Sequence, residues 1–411
     1  MKKTNRKNNY AITLMCIILI IPFLSIAGIK SLLTENMYQS WQTLALVIFT
    51  ILLIIKSRSI QMNWIVCLFG LYEAIILATS TYHHGFSPGL TVTIITPIIL
   101  FALLQTDCYY EMLSGICVVV VGAMLINFPT ILTNWGNENA KFFIGGKNAL
   151  SMFLTPGVFL LLLNSLEQHE KLTKPVICGV VFAMISILLG SSGTGIVVAL
   201  CAVLFWFISS KAKPNKGLYM GVLFTIYLLF LVFSESFFLT DIWLEFTDML
   251  GKDSTLTSRT TIWEKAIEIF QGSPWIGAGR GVALRYINSM GYVHTIYEAH
   301  NFILEILMEG GIICLTLYAA LFIRAVRLLD MNNTKHRIVF ISLVVLLING
   351  LTESNVNNYL VVATLGVACR YANEQKNEQR KQMRANQRKE MQLRQGYELR
   401  RVRKVKNGQQ I

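Results

Sequence analysis

Apolar runs close to the ~20 residues that cross a bilayer recur along this 411-residue chain, and no other feature restricts its folding as strongly. About twelve can be placed, near 10–29, 40–55, 62–79, 89–105, 110–128, 149–165, 174–190, 194–210, 217–234, 301–323, 338–350 and 354–369. In hydrocarbon every backbone N–H and C=O must pair inside the protein, which leaves helices as the spanning element for runs of this length. Charged residues make up 14%, against about 25% in soluble domains. The expected fold is an all-α polytopic membrane protein with about 12 transmembrane helices over residues 1–370 and a basic tail over 371–411.

Lys and Arg concentrate in cytoplasmic loops, so their positions set the orientation. With the N-terminus inside, all 36 basic residues except Lys30, Lys141, Lys147, Lys252, Arg259, Lys265, Arg280 and Arg285 fall on the cytoplasmic side. Both termini are then cytoplasmic, and residues 236–300 form one large extracytoplasmic loop between helices 9 and 10. The basic start, the apolar run 11–24 and Ser25-Ile-Ala27 imitate a signal peptide. With more spans following, an uncleaved first helix is the expectation.

Beyond residue 370 the composition turns to Glu, Gln, Lys, Arg and Asn. Such a tail is expected to be disordered, or helical only against an anionic surface. Anionic lipid headgroups are its expected partner, at about 1 kcal/mol per basic residue near the membrane surface. Without aromatic interleaving, no nucleic-acid partner is expected. No CxxC spacing occurs among the eight cysteines, so neither a disulfide framework nor a zinc site is indicated. His83 and His84 have no HxxxH spacing or acid cluster beside them, and no metal is expected.

Few ionisable residues fall inside the runs. Glu73 is the clearest, with Glu305 and Glu309 near the start of the tenth. An intramembrane acid is a functional candidate, and for Glu73 a hydrogen bond to a neighbouring helix is the competing reading. A carrier would be expected to hold more such groups and paired broken-helix repeats.

The chemistry gathers in the loop. Ser258-Arg-Thr-Thr-Ile-Trp-Glu264 reads as a helix start, with Ile262, Ala266, Ile269 and Phe270 at helical spacing and Gly272 and Pro274 ending it. Arg259 then stands at a helix N-terminus, where backbone N–H groups and the helix dipole already favour an anion such as phosphate. A surface role contacting lipid headgroups or Asp253 is the alternative. Gly277-Ala-Gly-Arg-Gly281 allows close backbone approach or an anion-binding nest, with Arg280 as a second cation. A lone GxGxG is a weak signal, and no strand precedes it, which excludes a dinucleotide site. His300, followed by Asn301 and Glu305, sits where the chain re-enters the membrane. It could accept a proton from a hydroxyl or serve as a polar anchor.

Taken together, Ser258-Arg259, Trp263, Gly272-Ser-Pro-Trp-Ile-Gly-Ala-Gly279, Ala299-His-Asn-Phe-Ile-Leu-Glu305 and Glu309-Gly-Gly-Ile-Ile313 resemble the loop and following helix of the O-antigen ligase and polysaccharide polymerase family. The resemblance implies a GT-C-type fold and a metal-independent, inverting glycosyltransferase without a cofactor. Its donor would be an undecaprenyl-diphosphate-linked oligosaccharide on the outer face of a bacterial cytoplasmic membrane. It implies that Arg259 binds the diphosphate and that His300 activates the acceptor hydroxyl. Arg280, Gly277, Gly279, Gly281, Asn301 and Glu305 are candidate substrate contacts. One feature departs: the family's further arginine between the seventh and eighth spans is replaced here by Gly193, in Gly190-Ser-Ser-Gly-Thr-Gly195. Arg280, Lys252, Lys141 or Lys147 are candidates for the missing charge. Those glycines and serines could otherwise bring two helices together or offer N–H groups to a phosphate at the N-terminus of the eighth span.

Polymerisation of lipid-linked repeat units into a capsular or other surface polysaccharide is the leading expectation, with a chain-length regulator as a further candidate partner. The Lys-, Asn- and Ile-rich composition suggests a low-GC bacterium, without a lipid A core acceptor. Ligase-like transfer of finished glycan is the near alternative. A flippase for the same lipid-linked glycan is the alternative of another class.

Overall fold

The computed structural model describes residues 10–60, 64–137, 140–190, 192–232, 259–287 and 293–406. The basic N-terminal residues Lys2, Lys3, Arg6 and Lys7, and the loop positions Lys252, Asp253 and Ser258, lie outside them. Helices occupy every apolar run. In chain order they are α1 (Tyr10–Ile20), the short α2 (Ala27–Ser31), α3 (Glu35–Lys56), α4 (Trp64–His84), α5 (Pro88–Leu103), α6 (Tyr109–Thr133), α7 (Lys147–His169), α8 (Lys174–Leu189), α9 (Gly193–Lys211) and α10 (Lys216–Val232). After the undescribed stretch come α11 (Arg259–Gly272), α12 (Phe302–Leu328), α13 (Thr334–Asn349) and α14 (Tyr359–Lys406). Among the described residues, five helices are long and apolar enough to cross a membrane: α3, with the short turn after it, α4, α6, α7 and α12. Shorter apolar helices accompany them at Tyr10–Phe23, Pro88–Leu103, Lys174–Leu189 and Gly193–Ser209. The chain is a mostly helical, polytopic membrane protein.

Local chemistry explains the helix ends. Ser192 caps α9 through Gly195 N–H, and Asn301 caps α12 through the N–H groups of Ile303 and Leu304, each satisfying donors that a helix start leaves open. At the end away from the loop, basic side chains knit neighbouring connections together. Lys56 pairs with Asp107, Lys335 with Glu167, and Lys216 donates to the last carbonyls of α12.

Two features add to the expected helices. A two-stranded antiparallel hairpin, β1 (Leu284–Ile287) with β2 (Val293–Ile296), pairs Leu284 with Ile296 inside the loop region. The tail begins no new element, since α14 continues through residue 370 to Lys406. Lys, Arg, Glu, Gln and Met are all good helix formers, and an existing helix needs no fresh nucleus to extend.

The most consequential feature is a break in α12 at Gly311, with φ 64° and ψ −165°. A broken helix within the membrane must satisfy its freed backbone groups elsewhere. Here the segment after α11 supplies the partners reciprocally. Ile312 and Ile313 N–H donate to the carbonyls of Pro274 and Trp275, while Ala278 and Gly279 N–H donate to those of Met308 and Glu309. Close approach makes glycine obligatory: a Cβ on Gly311 would lie 2.4 Å from the Trp275 backbone, and one on Gly277 2.5 Å from Glu309 and Gly310. Residues 273–280 therefore plug into the break, fixing the loop to the bundle. Above them Ile262, Trp263 and Ala266 of α11 pack with Leu284, Ala299, Leu304 and Met308 into a small separate core. The helix expected in the loop thus packs one face against the bundle.

Candidate active site

Three helix starts meet beneath this small core. Arg259 is the first residue of α11, His300 and Asn301 precede α12, and Thr194 lies in the first turn of α9. All converge on the connection between α13 and α14, Gly350-Leu-Thr-Glu-Ser-Asn-Val-Asn-Asn358. Arg259 Nη1 donates to the carbonyl of Thr352, and its Nη2 meets Glu353 Oε1 at 2.6 Å. His300 Nδ1 faces the other oxygen of the same carboxylate at 3.5 Å. Asn301 Nδ2 donates to Leu351 O at 3.0 Å, and the Thr194 hydroxyl meets that of Thr352 at 3.2 Å.

Arg259 is 8% exposed, so it is not a surface arginine, while Glu353 is 1% exposed. Burial alone would raise the Glu353 carboxyl, but Arg259 and His300 together hold it below the usual carboxylate range. The site therefore keeps a buried anion between a guanidinium and an imidazole. Glu298, exposed at the rim, also interacts electrostatically with His300 and Glu353.

His300 adopts φ +49°, a left-handed conformation uncommon for a non-glycine residue. Both neighbours enforce it. Ala299 N–H donates to Glu305 Oε2 at 2.6 Å, and Asn301 caps α12. Glu305 is itself fixed by the Ser354 hydroxyl at 2.9 Å. Asn301 and Glu305, read from sequence as candidate substrate contacts, both take part in presenting the histidine. The ring is partly exposed, with Nδ1 turned inward and buried.

Arg280 is placed elsewhere. It is buried between two carboxylates, Glu73 of α4 at 3.3 Å and Glu309 of α12 at 3.2 Å, and Asn357 donates to the far oxygen of Glu309 at 2.9 Å. The N–H groups of Gly277, Ala278, Gly279 and Arg280 all donate to protein acceptors, the last to Ser80 Oγ at 2.8 Å. An anion nest at Gly277 and Gly279 is corrected to a docking role, because those donors are already taken and Gly279 sits against Ser80. Gly281 lies just past the docked segment, where an added Cβ would meet only a Leu90 methyl at 4.0 Å. Glu73, for which a hydrogen bond to a neighbouring helix is the competing reading, pairs instead with Arg280 of the docked segment.

Gly193 begins α9 beside Thr194 and so borders the site. Of the replacements for the missing arginine, Arg280 is committed to Glu73 and Glu309, Lys252 lies outside the described residues, and Lys141 is exposed. Lys147 opens α7, and the adjacent Asn148 accepts from Ser192 at 3.0 Å. It is the candidate that the fold brings to the Gly193 junction. Glu353 and Thr352 escaped the sequence reading. Their one signal is a run of seven residues, Thr352 to Asn358, that are polar except for Val356 and interrupt two apolar runs at the membrane edge.

Fold and site together define a polytopic helical membrane protein with a buried ion-pair site under a partly exposed histidine at one face. A family model described as O-antigen ligase matches residues 178–319, and the match supports an O-antigen ligase-family membrane protein. The matched stretch runs from α8 into α12 and includes Gly193, Arg259 and His300 but not Glu353. No curated protein matches the chain. The family points to membrane glycan processing of the ligase or polymerase type.

Proposed function

We propose that the chain is an inverting, metal-independent glycosyltransferase that polymerises undecaprenyl-diphosphate-linked oligosaccharide repeat units on the outer face of a bacterial cytoplasmic membrane. About twelve spans of GT-C type, with both termini inside, would put the α11–hairpin region outside, where lipid-linked rather than nucleotide-linked donors are found. The observation that carries this reading is the meeting of Arg259 and His300, distant in sequence, on the single carboxylate of Glu353.

The chemistry follows from the side chains. An acceptor sugar hydroxyl attacks the anomeric carbon of the donor while its proton passes to His300 Nε2. The bond from that carbon to the diphosphate oxygen breaks, inverting the centre, and the electron pair leaves on the lipid diphosphate. Arg259, with the N-terminus of α9, stabilises the charge that develops there. One base suffices, unlike the carboxylate pair of a retaining hydrolase. Arg280, Gly277 and Gly279 act as scaffold for this site, not as substrate contacts.

The description of the matched family as O-antigen ligase favours a second reading, transfer of finished glycan to another acceptor. Reconstitution with a lipid-diphosphate oligosaccharide separates the readings on a gel. A ladder of increasing chain length is expected. A single product requiring a different added acceptor would favour the ligase, and transport without a new glycosidic bond would overturn the enzyme.

A further inference from the structure

We propose that Glu353 is a positioning residue for which Arg259 and His300 compete, so that a diphosphate drawing Arg259 away turns the carboxylate toward His300 Nδ1 and readies the imidazole as a base. This rests on the roles given above to Arg259 and His300. It adds an order to them: the donor diphosphate prepares the group that activates the acceptor.

The geometry is unequal in a telling way. Glu353 gives one oxygen to each partner, but only the arginine completes its bond, at 2.6 Å. At 3.5 Å the histidine stands beyond ordinary hydrogen-bond reach, and its buried Nδ1 has no hydrogen-bond partner among the described residues. A shift of the carboxylate by roughly half an ångström would close that gap, and unbound catalytic geometries are often loose in this way. Arg259 gives one N–H of each terminal nitrogen to Thr352 O and Glu353 Oε1 and keeps further N–H donors. A diphosphate bound through those draws on the same positive charge and loosens its hold on Glu353. The backbone around His300 is held by Glu305, Ser354 and Asn301, which fixes where the ring stands. What remains open is its tautomer, which a carboxylate at Nδ1 would fix with the lone pair on Nε2.

Replacing the carboxylate by an amide therefore has two opposite consequences. Arg259 loses its anionic partner and becomes freer for a diphosphate, while His300 loses the group that orients it. A residue that merely held the fold would not separate these effects. Full-length protein in nanodiscs is titrated with undecaprenyl diphosphate, and turnover is measured on a lipid-linked oligosaccharide. For Glu353→Gln we expect binding about 10-fold tighter and turnover about 100-fold slower, the sizes typical of a charge-assisted contact and of a base. Glu353→Asp, which keeps the charge, is expected to show both changes by smaller factors and carries the test if the glutamine variant does not fold. Weakened lipid binding together with weakened turnover, or wild-type turnover in either variant, overturns the exchange. Failure of the wild type to bind the diphosphate lipid overturns the underlying site reading instead.

Discussion

Two buried arginines from one loop region meet opposite fates. Arg259 faces one carboxylate and a carbonyl beneath a partly exposed histidine, whereas Arg280 is enclosed by Glu73 and Glu309 with its backbone N–H also bonded. Around Arg280 the carboxylates outnumber the cation, so an added anion would be repelled. Arg259 itself pairs with one carboxylate, Glu353, while Glu298 acts on His300 and Glu353 from the rim and a partly exposed imidazole adjoins them. The difference teaches that a loop arginine's role is set by how many carboxylates the neighbouring helices contribute, which local sequence does not reveal. Arg280, flanked by glycines and read in sequence as a second cation, is held in the fold by two carboxylates.

The comparison breaks most visibly at His300. His300→Ala should lower glycan transfer about 10²–10⁴-fold, the usual contribution of a positioned base, while thermal melting in detergent stays near wild type. A melting collapse with residual transfer would make the histidine structural. Next in size, Arg280→Ala should destabilise the fold by about 3–5 kcal/mol, because it strands two buried carboxylates. The triple variant Arg280→Met, Glu73→Gln, Glu309→Gln should recover most of that melting loss, and a triple variant no more stable than the single one would contradict the scaffold role.

Smaller effects sharpen the picture of the docked loop. Gly279→Ala, whose new Cβ would lie 2.5 Å from the Ser80 backbone, should cost more in melting than Gly281→Ala, which meets only a Leu90 methyl at 4.0 Å. Both adopt positive φ and share a strain of about 1 kcal/mol, so the steric difference is what the pair isolates. Equal effects would place Gly279 outside a tight contact. Smallest is a pH effect. Glu353 titrates lower in the folded than in the unfolded protein, so its pairing adds stability above the unfolded value of about 4.3. That contribution is lost as the pH falls through the depressed folded value. The melting temperature of Glu353→Gln should accordingly depend less on pH below about 4.3 than that of the wild type.

Much of the architecture was legible. Each apolar run lies on a helix, α11 ends at Gly272 before Pro274 as its punctuation demands, and Asn301 caps the helix that follows. The hairpin escaped because strands of four residues carry too little alternation to read. The docking of residues 273–280 escaped because a glycine run is compatible with either a phosphate or a second backbone. Its partner, Gly310-Gly311 inside an apolar span, was visible but not recognisable as a helix break without the fold. Glu353 was hidden by position, since a short turn between two spans seldom announces which distant side chains will reach it. His300 and Arg259 were legible as motif residues. Their common partner was not.

In the proposed mechanism catalysis belongs to the Arg259 side of this pair and scaffolding to the Arg280 side. The most direct test is ladder formation from a lipid-diphosphate oligosaccharide by two charge-neutral variants, each first shown to be folded. Arg259→Met with Glu353→Gln should abolish the ladder, and the Arg280–Glu73–Glu309 triple variant should retain it. A normal ladder from the first, or its selective loss in the second, would contradict the account.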